Sequence, residues 1–185
     1  ANLSKNCDVL VISGSLPQGI ESDYYRRLFS VAAPNTLKIA DTEGAKLLAA
    51  LQTDLDLVKP NKDELENTLK QEFKSRDDLL KGCYSLLDKG AKRVLLSLGK
   101  KGAIITDGTK NYYCKSINVA INSTVGAGDG MVAAAAMMLE QGGSLDELLR
   151  AGVAAGTATV TTFGCISFTK EKYDEIYANL TVEEF

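Results

Sequence analysis

The chain has 185 residues, 45% of them apolar and 24% charged, with a formal net charge of −3. That length is enough for a real hydrophobic core in one domain or most of one, and its scattered lysines and arginines exclude the concentrated basic footprint of a nucleic-acid surface. There is no histidine, so a His triad, a His-liganded metal and a His general base are excluded together, which leaves a carboxylate as the candidate proton acceptor.

No apolar run approaches bilayer-spanning length, and the first residues carry no signal-peptide pattern. The cysteines Cys7, Cys83, Cys114 and Cys165 lie far apart with no paired metal-type spacing. They predict reduced thiols in a cytoplasmic protein.

In chain order, DVLVIS (8–13) reads as a buried strand. ESDYYRRLFSVAA (21–33) reads as a helix with Tyr24, Leu28 and Val31 on its apolar side. LKIAD (37–41) is the next strand, followed by a helix over 44–51. LDLVK (55–59) is another strand, stopped by Pro60, and helices are predicted at 62–70 and 76–89. The second of these carries Leu79, Leu80, Cys83, Leu86 and Leu87 on one face. RVLLSL (93–98) is a strand, and GAIITDGTKNYYCK (102–115) a hairpin turning at Asp107-Gly108. Helices over 129–140, 144–162 and 170–179 complete the pattern. Strands alternating with crossover helices predict an α/β fold with a mainly parallel sheet, and such sheets bind ligands at the carboxyl ends of their strands.

Three segments carry candidate chemistry. In NSTVGAGDG (122–130), glycines stand at the mouth of an alanine-rich helix. Helix N-termini expose unpaired N–H groups and a partial positive charge. Gly126, Ala127 and Gly128 therefore form a candidate anion cradle, with the carboxylate of Asp129 at its rim. A helix cap with a tight turn explains the same spacing equally well. The dinucleotide pattern G-x-G-x-x-G fails because Met131 stands at its last glycine, and the Walker pattern fails at Val94 and Lys101.

In VKPNKDELE (58–66), Asn61 and Glu64 share one side of a first helical turn. They suit a hydrated Mg²⁺, and taken alone they suit a capping box better. SLGKKG (97–102) offers Ser97, Leu98, Gly99, Lys100, Lys101 and Gly102 after a strand, where they could hold a nucleotide phosphate or ribose. Alone, this segment reads as an ordinary strand-to-strand turn.

Together, in this order, the three segments closely resemble the ribokinase-like (PfkB) family of sugar kinases. The carriers are TVGAGD at 124–129, N-x-x-E at Asn61 to Glu64, and SGSLPQG at 13–19. The resemblance implies a three-layer ribokinase-like α/β fold with a mainly parallel central sheet. It implies ATP and Mg²⁺ as cofactors and a ketohexose phosphate as partner, fructose 1-phosphate ahead of tagatose 6-phosphate. Asp129 would take the proton of the sugar hydroxyl, and the amides of Gly126, Ala127 and Gly128 would stabilise the transferring phosphoryl group. Ser97, Leu98, Gly99, Lys100, Lys101, Gly102 and Gly128 would bind ATP, with the helix at 151–162 backing the adenine. Asn61 and Glu64 would organise Mg²⁺ through water, and Ser13, Gly14 and Ser15 would touch the sugar phosphate.

The family's amino-terminal strands, its Gly-Gly substrate motif and its β lid have no match in residues 1–185. The chain is thus expected to be the carboxyl-terminal, nucleotide-binding and catalytic-base part of a single kinase domain. Its oligomeric state is open, a homodimer being one outcome for the intact protein, and an inactive nucleotide-binding fragment is the competing expectation.

Overall fold

A computed structural model describes residues 7–164 and 167–185; Cys165 lies outside the described residues. The chain forms two compact units, 1–96 with 106–109, and 97–105 with 110–185.

The first unit runs β1 (Val9–Ser13), α1 (Tyr24–Ser30), β2 (Leu37–Asp41), α2 (Gly44–Ala50), β3 (Leu57–Val58), α3 (Lys62–Leu69), α4 (Arg76–Leu87) and β4 (Val94–Ser97). β1, β2, β3 and β4 lie side by side in that order, all parallel, with Val9 beside Leu37, Ile39 beside Leu57 and Val58 beside Val94. Parallel neighbours need a crossover, which α1, α2 and the α3–α4 pair supply. The central strands are continuous apolar runs because both their faces are covered: Leu57, Val58, Val94, Leu95 and Leu96 are all fully buried. Each such leucine contributes roughly 1.5–3 kcal/mol on burial.

Two sequence expectations change here. The buried face of α1 is Tyr25 and Phe29, one position on from the predicted Tyr24, Leu28 and Val31. Tyr25 Oη reaches back to Gly14 O at 3.3 Å, whereas Tyr24 stays at the surface under the Arg27 guanidinium. The predicted strand 55–59 shortens to Leu57–Val58. The cause is Asp56: its buried carboxylate accepts from the Lys38 backbone N–H and from Lys92 Nζ, both at 2.8 Å, so a side chain takes the place of a ladder carbonyl.

Parallel register brings Ser13, Asp41 and Lys59 to one edge. There Lys59 Nζ lies 3.0 Å from Asp41 Oδ1 with both residues largely buried, and Ser13 Oγ donates to Asp41 Oδ2 at 3.4 Å.

The second unit holds β5 (Ala103–Thr106), β6 (Asn111–Cys114), α5 (Ala127–Glu140), α6 (Leu145–Thr159), α7 (Lys170–Asn179) and β7 (Val182–Glu184). β7, which no sequence pattern announced, pairs antiparallel with β6, Cys114 beside Val182 and Tyr112 beside Glu184. A three-residue strand with two glutamates has no alternation to read; its partner defines it.

α6 packs against both α5 and α7. Its Ala/Gly-rich face lets α5 come close: a Cβ on Gly130 would stand 2.6 Å from Thr159 Oγ1, and one on Gly156 would stand 2.6 Å from Met131 Cγ. On the other side, Arg150 lies over the Tyr177 ring at 4.4 Å and donates from Nε to Tyr177 O at 2.9 Å.

Candidate active site

The second unit contains an open cleft of about 320 Å³. One wall is the turn after β4. Lys101 N–H donates to Leu98 O, Gly102 N–H to Gly99 O, and Leu98 N–H to Gly102 O, closing a tight 3₁₀ loop. Gly102 is required there: its φ is +97°, and a Cβ would fall 1.9 Å from Cys114 O.

The opposite side is the mouth of α5. Gly126 is the N-cap, held at φ +81°, a conformation that favours glycine. The first helical bond runs from Gly130 N–H to Gly126 O at 2.8 Å. Ala127, Gly128 and Asp129 occupy the first three helical positions, whose N–H groups no carbonyl of the helix can reach. Ala127 N–H makes only a long contact of 3.4 Å to Thr124 O. The preceding loop is pinned by Asn122, whose N–H donates to Val160 O at 2.8 Å and whose Nδ2 donates to Thr161 O at 2.7 Å. The Asp129 residue is exposed.

Ser97, Gly99, Lys100 and Gly102 thus share one cleft with Ala127 and Gly128. Leu98 and Lys101 belong to the same turn without lining the cleft, and Gly126 and Asp129 flank the lined positions. The helix expected to back a base contributes Val153, Gly156, Thr157 and Val160. Sequence reasoning missed the stretch after β6, Ser116 to Ile121, of which Ser116, Ile117, Asn118, Val119 and Ile121 line the cleft. Its only signal is an apolar alternation outside any helix or strand.

Cys114, behind the turn, is buried and its thiol is pushed up to about 11 by desolvation, so it is no thiolate at neutral pH.

Asn61, Glu64, Ser13, Gly14 and Ser15 lie in the first unit. Asn61 and Glu64 form a reciprocal capping box. Asn61 Oδ1 accepts from Glu64 N–H at 2.9 Å, and Glu64 Oε2 accepts from Asn61 N–H at 2.8 Å. Among the described residues no group of three or more His, Cys, Asp or Glu is placed to hold a metal. A carboxylate has about four lone-pair sites, so Glu64 can serve the cap and still orient water on a hydrated Mg²⁺. That fits an ion held chiefly by phosphate and water. Ser13, Gly14 and Ser15 are exposed at the end of β1, where Gly14 O accepts from Thr42 Oγ1 at 2.9 Å.

No described helix is long and apolar enough to cross a membrane. The chain is 39% identical over 176 residues to the ATP-dependent 6-phosphofructokinase isozyme 2 of Escherichia coli K12, covering 94% of this chain and 57% of that protein. It is 36% identical over 160 residues to the 1-phosphofructokinase of Borreliella burgdorferi, covering 85% of this chain and 52% of that protein. The chain therefore spans little more than half the length of these relatives. The crystal structure of phosphofructokinase-2 from Escherichia coli in complex with potassium superposes with a TM-score of 0.86 at 39% identity, covering 92% of this chain and 56% of that one. The α/β architecture is thus ribokinase-like. The family model described as pfkB family carbohydrate kinase matches residues 2–172, and on that match, with the cleft and the amide-rich helix mouth it encloses, the chain belongs to the PfkB family of carbohydrate kinases.

Proposed function

We propose that these residues are the nucleotide-binding and catalytic-base part of a kinase that transfers the γ-phosphoryl group of ATP to a ketohexose phosphate, with fructose 1-phosphate as acceptor. The observation that carries the reading is the open cleft in front of the α5 amides, with the exposed Asp129 on the first helical turn beside them.

Phosphoryl transfer is chiefly positioning and charge stabilisation. The turn 97–102 would seat the nucleotide against the apolar wall of α6. The amides at the α5 mouth would donate to the phosphoryl oxygens as charge develops, and one such donor is worth roughly 10²–10³ in rate. Asp129 would hold the acceptor hydroxyl. As the sugar oxygen bonds to phosphorus and the bond to the β-phosphate oxygen breaks, the hydroxyl proton passes to the Asp129 carboxylate and ADP leaves. A carboxylate is a far weaker base than an alkoxide, so this proton moves late. Mg²⁺ would neutralise phosphate charge, its water shell oriented by Asn61 and Glu64. Ser13, Gly14 and Ser15 would contact the acceptor's phosphate.

Calorimetry with ATP, with and without Mg²⁺, tests the nucleotide site. ADP release with fructose 1-phosphate, fructose 6-phosphate and tagatose 6-phosphate tests the acceptor. The Escherichia coli relative is named a 6-phosphofructokinase, which is why fructose 6-phosphate belongs in that panel. Asp129→Asn is expected to lower turnover by about 10²–10⁴ with little change in ATP affinity. Lost ATP binding with intact turnover would remove Asp129 from the base role.

A further inference from the structure

The turn after β4 is gripped from outside by a tyrosine. Tyr113, on β6, donates from Oη to Lys101 O at 2.6 Å, near the short end for a bond between two oxygens. Both residues belong to the second unit. β6 is itself held by β7, with Tyr113 beside Glu183, so the hydroxyl is presented from a paired strand. Neither Lys101 nor Tyr113 lines the cleft, whereas Gly99, Lys100 and Gly102 do.

The Lys101 carbonyl and the Gly102 N–H belong to one rigid trans peptide and point opposite ways. Fixing one fixes the other. Here the carbonyl faces Tyr113, outside the cleft, and the N–H donates to Gly99 O at 3.0 Å within the turn. The plane ends on a glycine at φ +97°, and glycine accepts either sign of φ. Rotation of that plane is therefore cheap in steric terms, and a three-residue 3₁₀ turn has poor hydrogen-bond geometry to resist it. Turned over, it would aim the negative end of a peptide dipole toward the cleft. Lys100, which lines the cleft from the same turn, would then share its ligand with a carbonyl oxygen.

We propose that Tyr113 is a positioning residue: its hydroxyl locks the Lys101–Gly102 peptide in the orientation that keeps this turn compatible with an anion. The inference rests on the cleft being a nucleotide site and assigns the turn to the phosphate end of that nucleotide. Tyr113 acts through the turn and touches no ligand. Its effect therefore follows the ligand's negative charge and spares a neutral nucleoside.

The test is calorimetry on the 185-residue chain, as wild type, Tyr113→Phe and Tyr112→Phe, with MgATP, Mg-tripolyphosphate and adenosine. Tyr113→Phe keeps the ring and removes only the donor. It is expected to weaken ATP and tripolyphosphate by about 3- to 10-fold, as a fraction of turns leaves the binding-competent form, with adenosine unchanged. Lys101 is exposed, so water replaces the lost donor and Tm is expected to stay within about 2 °C. Tyr112, on the opposite face of β6, serves as the control, and Tyr112→Phe binds all three ligands as the wild type does. Unchanged ATP binding in Tyr113→Phe overturns the proposal and leaves the kinase reading intact. Equal weakening of adenosine, or a large fall in Tm, overturns it in favour of a structural role. If the wild type binds none of the three ligands, the nucleotide site itself falls, and this proposal with it.

Discussion

Single residues set the shape of the cleft. Gly102 combines a left-handed backbone with a carbonyl 1.9 Å from where a side chain would begin. That carbonyl belongs to β6 and cannot rotate away as a side chain can. Gly102→Ala is therefore expected to cost about 3 kcal/mol and to lower Tm by roughly 6–12 °C. Calorimetric melting measures this directly, and a shift within about 2 °C would mean that the turn relaxes freely. Gly130 sits in a different balance. Alanine there gains up to about 1 kcal/mol of helix propensity, but its Cβ presses on Thr159 Oγ1 at 2.6 Å. The pair Gly130→Ala and Gly130→Ala/Thr159→Ala is expected to be non-additive, the second substitution recovering stability lost to the first. The glycine thus serves the crossing of α5 and α6, whatever it does for a ligand.

Among the elements, α3 places a capping box on the same two residues that are proposed to orient a hydrated Mg²⁺. Asn61 and Glu64 close a capping box, so Asn61→Ala is expected to cost about 1 kcal/mol in stability and says nothing about metal. Glu64→Gln separates the two. Glutamine still accepts from the Asn61 N–H, so melting should barely move, while the charge proposed to steer a hydrated cation is gone. The expected outcome is a higher Mg²⁺ requirement for ATP binding at unchanged Tm. An unchanged Mg²⁺ requirement would assign the motif to capping alone. α5 shows the converse arrangement, a helix whose N-cap is a glycine with no side chain to offer, so no capping side chain competes with an outside anion for its first amides.

Across the whole molecule, burial leaves a pH signature. The Cys83 thiol is pushed up to about 12 and Cys114 to about 11, in both cases chiefly by desolvation. Their raised folded-state values mean that above pH ~9 the unfolded chain loses these protons first. Stability from keeping the thiols neutral is present below that pH and declines as pH rises from about 9 toward about 11 for Cys114 and about 12 for Cys83. Denaturant midpoints at pH 8 and pH 10.5 are expected to fall in that order, with a smaller fall in Cys83→Ala. Cys7, only partly buried, is expected to react with a thiol reagent in the native state while Cys83 and Cys114 wait for unfolding.

What the sequence determined by itself was local and periodic. Continuous apolar runs marked β1 and β4, LKIAD marked β2, the Asp107-Gly108 turn announced the step from β5 to β6, and the bounds of α7 were read to the residue. The glycine cluster identified the mouth of α5, because only an unusual backbone demands such residues at a helix start. Tertiary structure decided what depends on partners distant in the chain. Asp56 shortened β3 by bonding across to Lys38 and Lys92, and β7 exists only through its pairing with β6. α1 turned Tyr25 rather than Tyr24 inward because Gly14 O offered its hydroxyl a partner. The loop from Ser116 to Ile121 became a cleft wall by the same means. Periodicity records which face of an element is apolar, but a hydrogen-bond partner or a cavity is created by segments that meet only on folding.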